Sequence, residues 1–429
     1  MNHQHLHLLD HPFSRRKLFA QASAGLLGVK MLSEWEQPAI AAAPSAKAKQ
    51  VIVLMMRGAM SHLDTFDPKP GREVQGETET IKTKTPGVLF GKSLSGLAAL
   101  SEELAVIRSV TTETGDHQQG TYLMRTAYKK LNSINHPGLG AWLVHAMGKI
   151  SKDLPGNVLV GNGNEHPNAG FLDSTLIPVP IGDPAKGLEN IKSPSYLTET
   201  HFKRRLLLAN RIDADFREKF NGNEVETYNE MYREAVRLMG SKELAAFDIA
   251  QESEKTREAY GKYKFGQGCL LARRLVQGGV RFVEVEFGSW DMHQQIFSDT
   301  GIPERAGQLD QSMSMLLTDL KAQGLLKTTL IVLATEFGRT PTINENAGRD
   351  HHPGVFSCVL AGAGIKGGQV YGSSDKDGRG VEDDSVSIAD FNTTIARAAG
   401  IATNKEHIAP NGRPFKIGGG GDAIEKILA

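Results

Sequence analysis

Histidine and aspartate side chains stand close together at two places in the chain, each directly after a run of apolar residues. His62 and Asp64 follow the first such run of the chain, and Asp291 and His293 follow a later one. Two side chains that are two positions apart on an extended loop point to the same side of the backbone. Histidine and carboxylate together suit zinc, manganese or iron, so each pair is a candidate metal ligand pair.

Two further groups repeat this combination after other apolar runs. His117 follows the run that ends at Val110, and Glu336 follows the run that ends at Ala334, with His351 and His352 shortly beyond. Ligands of open α/β sheets bind outside the carboxyl ends of the strands. Because four such ends carry histidine with an acid nearby, the sequence predicts a site for one or two divalent metal ions. Zinc or manganese is the expected ion.

The elements that must position these residues are strands alternating with helices. Short continuous apolar runs predict strands that are buried on both faces, at residues 51–56, 104–110, 280–287, 329–334 and 356–360. Helical periodicity predicts helices at 94–104, 138–150 and 306–324. This alternation predicts an α/β fold, with a mostly parallel sheet and helices on both faces. Residues 199–277 are charged, rich in Leu and Ala, and of helical period, which predicts a helical insertion.

The first 43 residues are predicted to be a targeting segment. Ser14–Phe19 contains paired arginines, Ala20–Leu32 is a weakly apolar run, and small residues at 39–43 offer a cleavage site. The apolar run is well below the roughly 20 residues that a membrane-spanning helix needs. The pattern is that of a twin-arginine signal, which predicts export to the periplasm or beyond. The mature chain is then one domain, residues 44–429, without a transmembrane segment.

Composition limits the partners. Lys and Arg together number 49, as do Asp and Glu, so the formal net charge is zero. Nothing in this balance favours nucleic acid or an anionic membrane as a partner. The only two cysteines, Cys269 and Cys358, exclude a disulfide framework, and we expect two buried thiols.

Five ordered motifs carry a resemblance to a known family. They lie at residues 56–70, 290–293, 335–341, 348–353 and 361–368. Together with the twin-arginine pattern, they identify the chain as a member of the domain-of-unknown-function 1501 family. This family consists of exported proteins grouped with the alkaline-phosphatase and sulfatase superfamily. The resemblance covers nearly all of the chain after the signal, and it implies an alkaline-phosphatase-like fold.

The resemblance also implies a site. Members of the superfamily use one or two metal ions to hold a phosphate or sulfate ester, which a Ser, Thr or modified Cys attacks. Asp291 and His293 resemble the superfamily's ligand pair before the last core strands. Glu336 stands where the superfamily usually has Asp. Phe337 stands where it usually has His, and one of the paired histidines fourteen and fifteen positions further on would supply the lost ligand.

The chain departs from the superfamily pattern at two other places. Arg57 stands where a strand-end Asp is usual, so His62 or Asp64 would have to serve instead. The nucleophile position falls near Gln118, where no hydroxyl or thiol is present. Thr121, one helical turn further on, is the candidate nucleophile, and the alternative is an ordinary helix residue.

The predicted function is metal-dependent hydrolysis of a small-molecule or polysaccharide phosphate or sulfate ester outside the cytoplasm. A metal ion lowers the pKa of bound water from about 15.7 to roughly 7, so water can replace a missing nucleophile. Arg57 and Arg339 are candidate anion clamps. His117 or His352 is the candidate acid for the leaving group. His117 is alternatively a metal ligand, a phosphate-accepting base or an ordinary histidine at the start of a helix. The alternative function is a catalytically degenerate binding or scaffold protein of an exported assembly.

Overall fold

A computed structural model describes residues 48–189, 200–202, 204–209 and 223–429, together with the isolated residues 198 and 211. The predicted export signal, residues 1–43, lies outside the described residues. None of the helices in the described part of the chain is long and apolar enough to cross a membrane.

The described residues form a nine-stranded central sheet. Its strands are β1 (Gln50–Met56), β2 (Leu104–Thr111), β3 (Asn157–Val160), β4 (Val179–Ile181), β5 (Phe282–Phe287), β6 (Thr329–Thr335), β7 (Phe356–Gly362), β8 (Gln369–Tyr371) and β9 (Val386–Ser387). The spatial order is β8-β2-β7-β6-β1-β5-β3-β4, and β9 also pairs with β2. Neighbouring strands are parallel except at β7, which runs antiparallel to β2 and β6. The prediction of a mostly parallel sheet is confirmed.

Helices cover both faces of this sheet. The α-helices bounded in the described part of the chain are α1 (Ser95–Ala99), α2 (His117–Thr126), α3 (Leu139–Met147), α4 (Asn223–Gly240), α5 (Glu254–Tyr260), α6 (Lys264–Gln277), α7 (Ile302–Ala322) and α8 (Ile388–Ala398). The central strand β1 alternates its side chains between two cores. Ile52 and Leu54 pack in the core that contains α6 and α7, whereas Val51 and Val53 pack in the core that contains α3 and α8. A strand buried on both faces needs the continuous apolar run seen in the sequence.

The predicted elements agree with the structure at the strands and less well at the helices. All five predicted strands are present, with ends within two residues of the predicted ones. The helix predicted over 94–104 is wrong in its extent, because the α-helix ends at Ala99 and a 3-10 turn, Ser101–Glu103, leads into β2. Within the predicted insertion, α4 and α5 are helical, but α6 packs against the sheet and belongs to the core.

Four two-stranded ribbons lie outside the central sheet in the described part of the chain. They pair residues 80–82 with 89–91, 338–339 with 351–352, 373–374 with 381–383, and 406–408 with 414–416. In the second ribbon, His351 lies opposite Arg339 and His352 opposite Gly338. This antiparallel pairing brings the two histidines back to the end of β6. Cys269 and Cys358 are buried free thiols, as predicted.

Candidate metal centre

Three adjacent parallel strands bring the predicted site residues to one edge of the sheet. Met56 at the end of β1 is in register with Phe287 at the end of β5 and with Thr335 at the end of β6. The loops after these strands therefore leave the sheet side by side. The fourth contributor is the amino terminus of α2, where Asp116 caps the helix and His117 is its first residue.

Four side chains converge at this edge, and we call them the histidine cluster: His117, Asp291, His293 and His351. One ligand atom each from His117, Asp291 and His351 lie within 4.8 Å of one another. The His293 Nε2 atom lies 3.0 Å from Asp291 Oδ1 and 3.0 Å from His351 Nε2. His351 Nε2 is itself 3.2 Å from the same carboxylate oxygen. The structure thus brings together three imidazoles and one carboxylate from the loop after β5, the start of α2 and the ribbon after β6.

The Nδ1 atom of each of these imidazoles faces an oxygen that can only accept a hydrogen bond. The oxygens belong to the Glu336 carboxylate for His117 at 2.9 Å, the Asp350 carboxylate for His293 at 2.7 Å, and the Gly115 carbonyl for His351 at 2.6 Å. Each Nδ1 therefore carries the proton, and in the neutral ring Nε2 carries a lone pair. An outer acceptor that holds the tautomer in this way is the usual surrounding of a metal-binding histidine.

The Nε2 atoms then face one another and the Asp291 carboxylate, none of which can donate a hydrogen bond to a neutral ring. The lone pairs of His293 and His351 face each other at 3.0 Å, and both face Asp291. His117 Nε2 is buried without a hydrogen bond, 3.3 Å from Asp291 Oδ2. Arg339 Nη1, a pure donor, lies 3.4 Å from His293 Nε2, which agrees with a lone pair there.

A cation shared by His117, Asp291 and His351 would satisfy the ligand atoms that lie mutually within 4.8 Å of one another, and His293 lies beside them. Protonating every ring would instead place like charges side by side. The donor atoms of a tetrahedral zinc site with bonds of about 2.0–2.1 Å are separated by roughly 3.3 Å. His293 and His351 Nε2 lie 3.0 and 3.2 Å from Asp291 Oδ1, and His117 Nε2 lies 3.3 Å from the other carboxylate oxygen, Oδ2. Each of these pairwise distances is close to that value. Three imidazole nitrogens and one carboxylate oxygen are the donor set that zinc and manganese accept. The residues present therefore fit a divalent metal ion.

Glu336 lies behind His117 and outside the group of ligand atoms. Its side chain is 1% exposed, and its Oε1 atom accepts hydrogen bonds from the Gly58 amide at 2.8 Å and from His117 Nδ1. The hydrogen bond with Glu336 raises the pKa of His117. Glu336 Oε1 is occupied by two donors and orients His117, so Glu336 as a ligand stays a prediction that depends on its other oxygen. Its Oε2 atom is buried without a hydrogen-bond partner.

Arg339 positions Asp291. Burial opposes ionisation of this carboxyl, but the hydrogen bond and charge of Arg339 lower the pKa of Asp291 well below its usual value. Arg339 is fully buried, and its other donors reach the carbonyl oxygens of Ala59, Gly58 and Arg349. The prediction of Arg339 as an anion clamp is therefore corrected, because no guanidinium edge faces a substrate.

Asp64 is part of a buried ion pair. The Asp64 and Arg349 side chains are both fully buried, and Arg349 Nε donates to Asp64 Oδ2 at 2.8 Å. Ser61 Oγ and Thr78 Oγ1 each donate to the same carboxylate at 2.5 Å. These donors occupy both carboxylate oxygens, which corrects the prediction of Asp64 as a metal ligand.

His62 and His352 hold a loop instead of a metal ion. His62 Nε2 lies 3.0 Å from the Gly378 carbonyl, and His352 Nε2 lies 2.8 Å from the Arg379 carbonyl, so both nitrogens donate. Burial lowers the pKa of His62 to about 4 and also lowers the pKa of His352. Both predictions as ligands are corrected, because the Nε2 protons are committed to the loop. His352 is also a poor acid for a leaving group, since its pKa lies below the usual histidine value.

The two remaining predicted residues differ in their access to solvent. Thr121 is fully buried inside α2, and its hydroxyl has no hydrogen-bond partner. The prediction of Thr121 as a nucleophile is corrected, because no substrate reaches a fully buried hydroxyl. Arg57 lies at the edge of the site with its side chain 22% exposed, 3.4 Å from Glu165 and 3.6 Å from Glu286. Arg57 lines the cleft but is paired with these two carboxylates, so its role as an anion clamp stays a prediction.

A cavity of about 550 Å³ opens beside the histidine cluster, and we call it the cleft. His117, Asp291 and Arg57 line it near the cluster, and Lys264 and Arg305 line it as well. Cavities of about 300–1,000 Å³ hold ligands the size of small organic molecules. The cleft is therefore far larger than a single phosphate or sulfate group needs.

Sequence reasoning missed the residues that hold the ligands in place. Asp350 orients His293, and the signal was its place beside His351 in the motif at 348–353. Gly58 has a φ of 107°, and a Cβ atom there would lie 2.5 Å from the Asp291 amide nitrogen. Only glycine lets the loop after β1 approach the loop after β5 this closely. The Gly115 carbonyl that holds His351 carries no signal in the sequence, because every residue has one.

Comparison with protein families identifies the chain. Residues 48–428 match the family described as protein of unknown function (DUF1501), and the chain belongs to this family. No curated protein sequence matches it.

Solved structures of similar architecture come from several bacteria. A protein in the alkaline phosphatase superfamily from Vibrio parahaemolyticus shares 9% identity at a TM-score of 0.40, covering 84% of this chain and 68% of its own. The PsFucS1 sulfatase from Pseudoalteromonas sp. shares 14% identity at a TM-score of 0.34, with 91% and 72% covered. The phosphonate monoester hydrolase SpPMH from Silicibacter pomeroyi shares 10% identity at a TM-score of 0.38, with 88% and 76% covered.

Proposed function

We propose that the protein is a metal-dependent hydrolase of phosphate or sulfate esters that acts outside the cytoplasm. One observation carries the proposal. Three imidazoles, each with its Nδ1 proton held by an oxygen acceptor, turn their Nε2 lone pairs toward Asp291 at the mouth of a cleft. Buried polar atoms of a folded protein normally have hydrogen-bond partners, so lone pairs that face one another are unusual. Zinc or manganese is the proposed ion, held by His117, Asp291, His293 and His351.

The chain's own residues have separate parts in this reaction. A bound divalent ion supplies Lewis-acid polarisation of the ester oxygen and lowers the pKa of water. Arg57 contacts the anionic oxygens of the ester, because a guanidinium donates two parallel hydrogen bonds to such groups. Arg339 and Glu336 hold Asp291 and His117 in orientation. With Thr121 buried, water is the proposed nucleophile.

The proposed substrate is a small-molecule or polysaccharide ester, and the proposed location is periplasmic or extracellular. The proposed substrate class rests on the size of the cleft, about 550 Å³. The proposed location rests on the twin-arginine pattern at residues 14–19. Neither nucleic acid nor a membrane is proposed as a partner, since the formal net charge is zero.

A second candidate is a binding protein that keeps the metal but has lost turnover. The observation that favours it is the burial of Thr121, which leaves the predicted nucleophile position without a usable hydroxyl. Such a protein would hold an anionic polysaccharide in an exported assembly.

One experiment separates the two. The purified protein is analysed for bound metal and assayed with aryl phosphate and aryl sulfate, before and after treatment with a chelator. The proposed hydrolase binds a divalent ion and turns over at least one ester, and chelation abolishes turnover that zinc or manganese then restores. Metal without turnover on a broad ester panel supports the binding protein. Turnover that is insensitive to chelation contradicts the metal-dependent mechanism.

A further inference from the structure

Two cationic side chains in the cleft take no part in the proposed hydrolysis. Lys264 is the first residue of α6 and is exposed, and Arg305 lies in the first turn of α7 and is half-buried. Both line the cleft that the histidine cluster opens into. They come from helices on one side of the sheet, whereas the cluster is built by strand-end loops and the start of α2.

Neither cation has an acidic partner among the described residues. No carboxylate of the described chain lies within 4.0 Å of the Lys264 ammonium or of the Arg305 guanidinium. The Arg305 side chain is held by a hydrogen bond from Nη1 to Gln308 Oε1 at 3.3 Å and lies over the Phe287 ring, 5.8 Å from its centroid. An arginine that is positioned on an aromatic ring without a carboxylate keeps its hydrogen-bond donors free for a ligand.

The acidic side chains of the cleft are already engaged by hydrogen-bond donors of the protein. Glu286 receives a hydrogen bond from Arg125 at 2.6 Å and another from the Asn162 amide at 2.8 Å. Asp291 pairs with Arg339, and Glu336 accepts from His117 and Gly58. Lys264 and Arg305 therefore differ from Arg57, which lines the same cleft but pairs with Glu165 and Glu286.

We infer that Lys264 and Arg305 form a second anion subsite, so that the substrate carries a further phosphate, sulfate or carboxylate group beside the ester that reacts. This inference rests on the proposed function, because it takes the histidine cluster as the place where the reacting ester binds. The cleft volume admits a molecule larger than a simple ester, and its unpaired cations select one with at least two anionic groups. The substrate class is thus a multiply charged anionic ester of sugar size.

The test uses ligands that cannot be hydrolysed. Alkane bisphosphonates of increasing chain length and the matching monophosphonates are titrated calorimetrically into the purified protein at low salt. We expect the best bisphosphonate to bind about tenfold more tightly than its monophosphonate, since two charge-assisted contacts are added. The matching disulfonates, tested in parallel, distinguish a preference for phosphate from one for sulfate.

A double variant and a matched control test whether Lys264 and Arg305 cause the tighter binding of the bisphosphonate. Lys264→Met with Arg305→Met is expected to bring the ratio of the two affinities close to one, with monophosphonate affinity unchanged within about twofold. Lys405→Met with Arg413→Met removes two exposed cations that do not line the cleft, and this control keeps the wild-type ratio.

The outcomes separate the inference from the proposed function. A ratio near one in the wild type, or a ratio that the Lys264/Arg305 double variant leaves unchanged, overturns the inference even if ester turnover is found. A ratio that depends on these two residues supports the subsite even if metal and turnover are both absent, in which case the proposed function alone fails.

Discussion

The histidine cluster and the buried pair of Asp64 with Arg349 each contain an aspartate from a strand-end loop, but the two carboxylates have different surroundings. In the pair, every carboxylate oxygen is bound by a protein donor and neither side chain is exposed. In the cluster, Asp291 is 44% exposed, and three ring nitrogens face it as lone pairs. Residue type alone therefore does not make a metal site. What makes the cluster a candidate is that its unsatisfied acceptors face one another beside open space.

The largest expected effect is on stability and belongs to the buried pair. Asp64→Asn leaves the Arg349 guanidinium buried without its counter-charge, so we expect the free energy of unfolding to fall by about 3–5 kcal/mol. Denaturant unfolding measures this loss, and metal analysis of the remaining folded protein is the control. Loss of the metal from folded Asp64→Asn protein, with unchanged stability, would reverse the roles given to the two regions.

The next effect is a pH dependence at His62. Its pKa of about 4 in the folded protein lies below the ordinary 6.5, so the unfolded chain binds the proton more readily. The corresponding stability is complete above pH 6.5 and is lost as the pH falls toward 4, by about 3 kcal/mol in all. Unfolding curves of the wild type and His62→Gln should diverge across this range. Parallel pH dependences of the two proteins would contradict the buried neutral histidine.

Removing the carboxylate of the cluster should affect turnover more than stability. Asp291→Asn removes the charge that the three imidazoles share, and we expect ester turnover to fall by about 100-fold or more. The kcat/KM for an aryl ester, measured at saturating zinc or manganese, is the readout. Asp64→Asn is the matched control, and its folded fraction should keep wild-type kcat/KM. Equal losses in the two variants would mean that the cluster has no special role.

The smallest expected effect is on metal affinity, at Asp350, which contacts His293 Nδ1 and none of the proposed ligand atoms. Asp350→Asn weakens the hydrogen bond that holds His293 Nδ1, so the metal dissociation constant should rise by about tenfold. Competition with a chelating dye measures it. Glu345→Gln, an acidic side chain on the same loop for which the structure records no contact with the cluster, is the control and should leave the constant unchanged.

The two regions also show which parts of the fold and of the candidate site could be predicted from the sequence. Continuous apolar runs such as Val51–Met56 predict buried parallel strands, and the carboxyl ends of such strands necessarily meet, so the edge that carries the site could be predicted. Which histidine turns inward could not be predicted. His351 and His352 are adjacent in a strand, and opposite faces of that strand send one to Asp291 and the other to the Arg379 carbonyl.

The roles of the arginines were equally hidden from the sequence. Arg57 and Arg339 both follow strands, and a guanidinium at either position could bind an anion. Which of the two guanidinium groups reaches the cleft depends on how deeply its loop is buried. Arg339 is fully buried, whereas Arg57 is partly exposed. The subsite cations Lys264 and Arg305 lie on helices. The expectation that ligands bind at the carboxyl ends of strands therefore does not point to them.

Anomalous diffraction from crystals grown with zinc, recorded on both sides of the zinc absorption edge, tests the central claim most directly. The account predicts a peak bounded by His117, Asp291, His293 and His351, and no peak at His62 or Asp64. A map without zinc at the cluster, with ordered water between the rings, would contradict it, as would zinc bound to Asp64.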